Sequence, residues 1–268
     1  MTEPGSASAP LPAAADSASA EAVPTPSDTA PTPHTDRPAR FMVIVAHPDD
    51  ADFGPAATAA HWIDQGSVAW LVCLTSGEAG GEDPDADPLA LARTREEEQR
   101  RAAAIVGYEE VHFLHQPDGA LANDLAVREQ LVRLIRAFRP DAVVCQDPTV
   151  VFHDSRFVNH TDHRAAGMAA VDAVYPAARN PMAFPYLARE GLEKHIVPRI
   201  YLSGTNEPNA WVDTTGSFDK KLAALREHAS QLHDLDETLG WITRWAESNG
   251  ERIGVAKADA FRIIEVEG

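Results

Sequence analysis

The sequence predicts an α/β fold: a Rossmann-like, mainly parallel sheet flanked by helices, built as a single domain. Three observations carry this. The runs "FMVIVA" (41–46) and "VAWLVCL" (68–74) are almost continuously apolar, the pattern of strands covered on both faces. Two similar runs, "EVHFL" (110–114) and "DAVVCQ" (141–146), follow at domain-like spacing. The intervals between them carry helical periodicity. Strands that alternate with helices pair in parallel through right-handed crossovers.

In chain order, residues 1–38 come first. They are rich in Ala, Pro, Ser and Thr and cannot bury enough apolar surface to offset the entropy of ordering. A disordered tail is expected there, with the folded domain over 39–268. Helices are expected over about 53–65, 89–106 and 124–138. The last places Leu125, Val127, Leu131, Leu134, Ile135 and Phe138 on one apolar stripe. Beyond the fourth strand come a helix from about 162, a strand "RIYLSG", a helix over 216–232 and a final strand "FRIIEV". No internal repeat is present. Cys73 and Cys145 both lie inside apolar strand runs, which predicts two buried reduced thiols rather than a disulfide.

Composition narrows the function. The formal charge is −18, of which the tail supplies only about −4. A body this acidic argues against nucleic acid as a partner, and no basic cluster is placed for anionic lipid. No run approaches the roughly 20 apolar residues of a membrane span. The first residues lack the basic and apolar regions of a secretory signal, so a cytoplasmic location is expected.

In a parallel sheet the loops leaving every strand emerge along one edge, where ligands bind. Here those loops read "HPDDAD", "TSGEAGGEDPDADP", "HQPDGALAN" and "DPTVVFHDSRFVNHTD". All carry carboxylates and three carry histidines. His47 and Asp50 are three residues apart at a strand exit, with Pro48 limiting the chain between them. "NHTDHRAAG" (159–167) adds His160 and His163 at one helical spacing, with Thr161 or Asp162 as the cap. A helix N-terminus keeps a nearby imidazole neutral, as a ligand must be. Two histidines, one carboxylate and open positions describe a catalytic zinc site, and Fe(II) suits the same donors. Asp49 then has a use: it sits beside a ligand without having to ligate, and can take a proton from an attacking water. His160 is placed to stabilise an oxyanion or to protonate a leaving amine.

Either motif alone has an ordinary explanation, "HPDD" as a turn with a helix cap and "HTDH" as a helix start. Their joint position on one sheet edge favours the metal. His34, His61, His112, His195 and His233 lie in the tail, within a helix, beside strands or near a helix end, and structural roles suffice for them. His115 and His153 lie on edge loops and stay open. "DPDAD" (83–87) resembles the start of a calcium loop, but Pro88 takes the place of the required glycine. No Walker A, G-x-G-x-x-G or G-x-S-x-G motif is present, so nucleotide binding and serine hydrolysis lack their signatures.

The ordered motifs "AHPDD", "TSGEAGG", "RTREEEQRRAAAIVG", "QPDG" and "NHTDHRAAG" resemble the PIG-L/LmbE-like family of zinc-dependent N-acetylglucosaminyl de-N-acetylases. The resemblance spans about residues 40–232 and includes "FDKKLAALREHASQ", where His228, Ser230 and Gln231 match a C-terminal motif. It implies an LmbE-like deacetylase domain with His47, Asp50 and His163 as metal ligands and Asp49 as general base. His160 becomes the acid or oxyanion partner, and Glu78, Arg95 and Asp118 the substrate contacts. It further implies Zn2+ (or Fe2+) as cofactor, a small amino-sugar substrate as partner, and leaves room for a homo-oligomer. Charged side chains such as Arg95 and Glu98 also suit a solvated helix face or an ion pair, and Glu78 and Asp118 suit turns beside glycine. Val158 stands where some members carry a tyrosine that aids the oxyanion. The expected reaction is removal of an N-acetyl group. The alternatives are hydrolysis of a larger amide such as a thiol-sugar conjugate, a non-catalytic carbohydrate binder, and a cofactor-binding Rossmann protein, the last disfavoured by the missing glycine fingerprint.

Overall fold

The computed structural model describes residues 31–153 and 155–267. Of the expected tail, residues 1–30 lie outside the described residues. Residues 31–38 have no regular secondary structure but run along the body. The His34 N–H donates to the Trp211 carbonyl (2.7 Å), its ring meets the Tyr201 hydroxyl (3.1 Å), and Arg37 reaches Ser67 (2.9 Å). These polar side chains find partners on the body that a compositional reading cannot see.

The first strand, β1 (Arg40–Val45), leads into a one-turn helix α1 (Asp50–Phe53), α2 (Ala56–Asp64), β2 (Val68–Thr75), α3 (Pro88–Val106) and β3 (Glu110–Gln116). Then follow α4 (Leu125–Phe138), β4 (Ala142–Gln146), a small hairpin β5 (Phe152–His153) and β6 (Phe157–Val158), and α5 (Thr161–Asp172), which runs into a π-helical stretch (Ala173–Ala178). The chain ends with α6 (Pro185–Arg189), β7 (Arg199–Ser203), β8 (Ala210–Asp213), α7 (Phe218–Leu225), α8 (Leu235–Glu251) and β9 (Ala258–Glu265). The seven-stranded sheet has the order β3-β2-β1-β4-β7-β9-β8. Its pairs from β3 to β7 are parallel, and β9 runs antiparallel to β7 and β8.

Period-two alternation divides the strands between two cores. Met42, Ile44, Val72, Leu74, Val143 and Cys145 face one cluster with α4 and α5. Phe41, Val43, Val45, Leu71, Cys73 and Val144 face the other with α2 and α3. Both sheet faces are thus covered, as the unbroken apolar runs require. Each fully buried aliphatic residue of β1 is worth about 1.5–3 kcal/mol, so the strand before the site is a rigid mount. Cys73 and Cys145 are free and buried, and burial pushes both thiols upward. Among the described residues no helix is long and apolar enough to cross a membrane.

Two expected helices end differently. The 53–65 helix is interrupted at Gly54 and Pro55, where proline has no N–H to continue the ladder. The 216–232 helix stops at Leu225, where the Glu227 and His228 N–H groups turn to carbonyls three residues back (3.0 and 3.2 Å), and beyond it the Ser230 N–H donates to the Glu98 carboxylate (2.9 Å). The helix α8 and strand β8 were not expected. Gly240 and Gly250 dilute the helical signal of the first, and four residues are too few to signal the second.

Strand order fixes the place of the site. From β1 the chain steps outward to β2 and β3 on one side, and β4 and β7 lie on the other. The carboxyl ends of β1 and β4 form the topological switch point, where the sheet opens a crevice. "HPDD" leaves β1 there, and the long segment after β4 ends in α5. Gly167 lets α5 lie directly on the end of β4, since a Cβ at that position would stand 2.2 Å from the Gln146 carbonyl oxygen.

Candidate metal centre and active site

His47, Asp50 and His163 meet at the crevice. Asp50 places Oδ2 3.2 Å from His47 Nδ1 and Oδ1 3.0 Å from His163 Nε2. The other ring nitrogens are already committed. His47 Nε2 lies 3.0 Å from Asp118 Oδ1 and 3.4 Å from Asp162 Oδ2, so its proton belongs on Nε2. His163 Nδ1 lies 3.2 Å from Asn159 Oδ1. The Asn159 amide nitrogen donates to the Val150 carbonyl (2.9 Å), which makes Oδ1 the acceptor and puts the His163 proton on Nδ1. Two lone pairs therefore face the two oxygens of one carboxylate. Neutral rings opposed to a carboxylate in this way take up a cation or a proton between them, and each histidine carries the outer hydrogen bond typical of metal ligands. The donor set fits a divalent ion.

His160 stands beside this group, its ring centroid 4.9 Å from that of His47 and 5.3 Å from that of His163. Donor atoms of His47, His160 and His163 lie within 4.8 Å of one another, as do those of His47, Asp118 and Asp162. His160, rather than Thr161 or Asp162, caps α5: its Nδ1 accepts the Asp162 N–H (3.2 Å). The Asp162 carboxylate is drawn instead to the Gly119 (2.7 Å) and Leu121 (3.3 Å) N–H groups, which pins the "QPDG" loop beneath His47. In the neutral ring the proton of His160 then sits on Nε2. Burial, with His47 and His163 adding to it, lowers its pKa and keeps the ring neutral.

The adjacent aspartates are driven apart electrostatically. Burial alone would raise Asp50, but His163 and His47 outweigh it and hold the carboxyl well below its ordinary range. For Asp49, burial and the Asp50 charge together outweigh Arg95 and push the carboxyl up to about 6. A pair so divided is the signature of one permanent anion and one proton acceptor. Burial would lower His47, but its hydrogen bonds to Asp118 and Asp50 carry it up to about 10, so a proton fills this position when a metal does not. Asp49 also has a strained backbone (φ 94°, ψ −32°), which costs about 1–3 kcal/mol in a residue other than glycine. Its Oδ2 accepts from Arg95 Nη2 at 3.2 Å.

Arg95 is 5% exposed, and the same guanidinium donates to the Gly77 (2.9 Å) and Pro48 (2.8 Å) carbonyls. The glycines of "TSGEAGG" wrap it: a Cβ at Gly77 would lie 2.4 Å and at Gly80 2.3 Å from its atoms. Arg95 is thus a buried, bonded residue rather than a solvated helix residue. Asp118 receives His47 and the Ala79 N–H (2.9 Å), and Glu78 accepts the Asp118 N–H (2.9 Å), so these two carboxylates also clip neighbouring edge loops together. Of the three, Glu78 and Asp118 stay half-buried at the crevice.

Sequence reasoning missed Gln99, Asp52, Asn159 and Asp162. Asn159 and Asp162 flank the ligand histidines and could have been found by asking which residue holds the second ring nitrogen. Gln99 lies one helical turn after Arg95, on the same buried face of α3. His228 is buried and meets Asp52 Oδ2 at 2.8 Å, and Ser230 Oγ donates to Glu98 at 2.6 Å. The C-terminal motif thus fastens the chain after α7 to the back of the site. His115 is held by Ser76 (3.0 Å) and Glu96 (3.3 Å), while His153 lies in β5 against Phe157.

Known proteins resemble this chain in sequence and fold. The diacetylchitobiose deacetylase of Thermococcus kodakarensis is 32% identical over 194 residues, covering 72% of this chain and 70% of its own. A 1D-myo-inositol 2-acetamido-2-deoxy-alpha-D-glucopyranoside deacetylase of Kineococcus radiotolerans is 29% identical over 301 residues, 89% of this chain and 81% of its own. The solved structure of N,N'-diacetylchitobiose deacetylase from Pyrococcus horikoshii, complexed with its inhibitor MPG, superposes with a TM-score of 0.79. It is 29% identical and covers 85% of this chain and 84% of its own. The profile of the PIG-L family, GlcNAc-PI de-N-acetylase, matches residues 42–174, from β1 into the π-helical stretch. Sequence and fold agree, and the chain belongs to the PIG-L family.

Proposed function

We propose that this protein is a metal-dependent amide hydrolase that removes the N-acetyl group from a small N-acetylglucosamine-containing molecule. The observation that carries the reading is the convergence of His47 Nδ1 and His163 Nε2 on the two oxygens of Asp50, with Asp49 beside them as a separate carboxylate. His47, Asp50 and His163 would hold the ion, with Zn2+ favoured and Fe2+ suited to the same donors. When bound, the ion supplies Lewis acidity toward the amide carbonyl and the attacking water.

The remaining roles belong to the chain's own groups. Asp49 takes the proton of the water through Oδ1, which has no hydrogen-bond partner among the described residues, while Oδ2 stays with Arg95. His160 Nε2–H stabilises the oxyanion, and the proton that Asp49 took from the water passes to the departing amine. Val158 offers no hydroxyl for that task, so the oxyanion's protein donor is His160. Glu78 meets the sugar directly. Arg95 and Asp118 act on the substrate's position through Asp49 and His47. The deacetylase names of the two sequence relatives support an acetylated amino sugar as substrate class. The test is incubation of zinc-loaded protein with a panel of N-acetylglucosaminides while new primary amines and free acetate are detected. Equimolar amine and acetate are expected, and their absence across the panel refutes the assignment.

A further inference from the structure

Behind Asp49 lies a closed hydrogen-bonded ring that the proposed reaction leaves without a role. A backbone N–H can only donate, and that of Asp49 points at Gln99 Oε1 (2.7 Å). The Gln99 amide must then turn Nε2 the other way, where it donates to Asp52 Oδ2 (2.8 Å). The Asp52 N–H returns to the Asp49 carbonyl (2.8 Å) and closes the ring. His228, arriving from 176 positions later in the sequence, places Nε2 on the same Asp52 oxygen (2.8 Å). Gln99 and Asp52 are 0% exposed and His228 1%, so water offers none of them a replacement partner.

We infer that Gln99, locked by Asp52 and His228, is a positioning residue that holds the Asp49 backbone in its strained form and so aims the carboxylate. The inference rests on the reading of Asp49 as the base. Three details support it. A non-glycine residue at φ 94° returns to ordinary backbone unless its surroundings over-determine it, and rotation there swings the Cβ direction. The Asp49 side chain has one long bond, 3.2 Å to Arg95, which fixes it only weakly. Asp52 Oδ1 has no partner, so Asp52 is oriented by the two donors on Oδ2, and without His228 only Gln99 remains.

The test uses zinc-loaded full-length protein and the variants Gln99→Met, His228→Leu, Asp49→Asn and Gln99→Met with Asp49→Asn. Gln99→Met should lower kcat about 100-fold, the effect of misplacing a reacting group by about 1 Å, with KM within about twofold and zinc content unchanged. His228→Leu should lower kcat about tenfold through the loosened Asp52. In the Asp49→Asn background, Gln99→Met should change residual turnover less than about twofold, because its target is gone. Hydrogen exchange at the Asp49 amide should quicken in both Gln99→Met and His228→Leu. A kcat for Gln99→Met within twofold of wild type, or a multiplicative loss in the double variant, overturns the inference. Unchanged exchange at the Asp49 amide in His228→Leu does so too, and that reading stands if Gln99→Met fails to fold. Exchange requires no turnover, so an inactive wild type would refute the proposed function while leaving the clamp to be decided separately.

Discussion

Replacing Gly167 by alanine adds one methyl group where α5 lies directly on the end of β4. The new Cβ would stand 2.2 Å from the Gln146 carbonyl oxygen and 3.2 Å from Pro148 Cδ. Two effects compete. Alanine in place of glycine favours a helix interior by about 1 kcal/mol. Against this, the obstacle is backbone at the end of β4, whose residues Val143, Val144 and Cys145 are all but fully buried, so it cannot yield as a side-chain tip can. Restoring an ordinary contact requires α5 to move by about 1 Å, and overpacking of this kind costs about 1–3 kcal/mol. The clash wins. His160 and His163 ride on the first turn of α5, so the displacement reaches the metal centre directly. We expect Gly167→Ala to lose up to about 2 kcal/mol in chemical denaturation, zinc affinity to fall at least about tenfold, and kcat to fall about 100-fold. Isothermal titration with zinc and steady-state kinetics on one preparation check this. Zinc affinity and turnover equal to wild type, with stability raised by the helix propensity gain, would refute the claim that Gly167 seats the ligand helix.

Four further outcomes are expected. Asn159→Ala frees His163 to adopt the wrong tautomer, and zinc affinity should fall about 10- to 100-fold with little change in fold, as measured by competition with a chelator. Asp118→Ala should do the same through His47, again by about 10- to 100-fold. Gly80→Val drives a side chain into the Arg95 guanidinium, so kcat should fall while bound zinc persists; paired elemental analysis and kinetics decide it. Cys73 and Cys145 should resist a thiol reagent at pH 8 in the folded protein and both react on unfolding, since burial holds the thiols in their protonated form.

Much of this was legible in the sequence, for physical reasons that also explain what was not. Strands buried on both faces have no freedom to alternate, so β1, β2 and β4 announced themselves as apolar runs. Their exits then placed "HPDD" and "NHTDH" on one edge without any tertiary information. The roles of Arg95 and Asp118 could not be read the same way. A charged side chain on a helix or turn is compatible with solvent, substrate or a buried partner, and only the fold shows glycines closing over Arg95 and a histidine turning to Asp118. His34 and Arg37 sit in low-complexity sequence but are held by Trp211 and Ser67, which are far away along the chain. Past the end of α7 the Ser230 N–H is likewise taken by a distant group, the Glu98 carboxylate.

The central claim is that one carboxylate of "HPDD" holds the metal while its neighbour moves the proton. The most direct measurement compares zinc per chain and amine release in wild type, Asp49→Asn and Asp50→Asn prepared side by side. The account predicts that Asp49→Asn keeps full zinc and loses about 100- to 10,000-fold in kcat, whereas Asp50→Asn loses zinc and activity together. Full zinc with near-normal turnover in Asp49→Asn, or full zinc in Asp50→Asn, would contradict it.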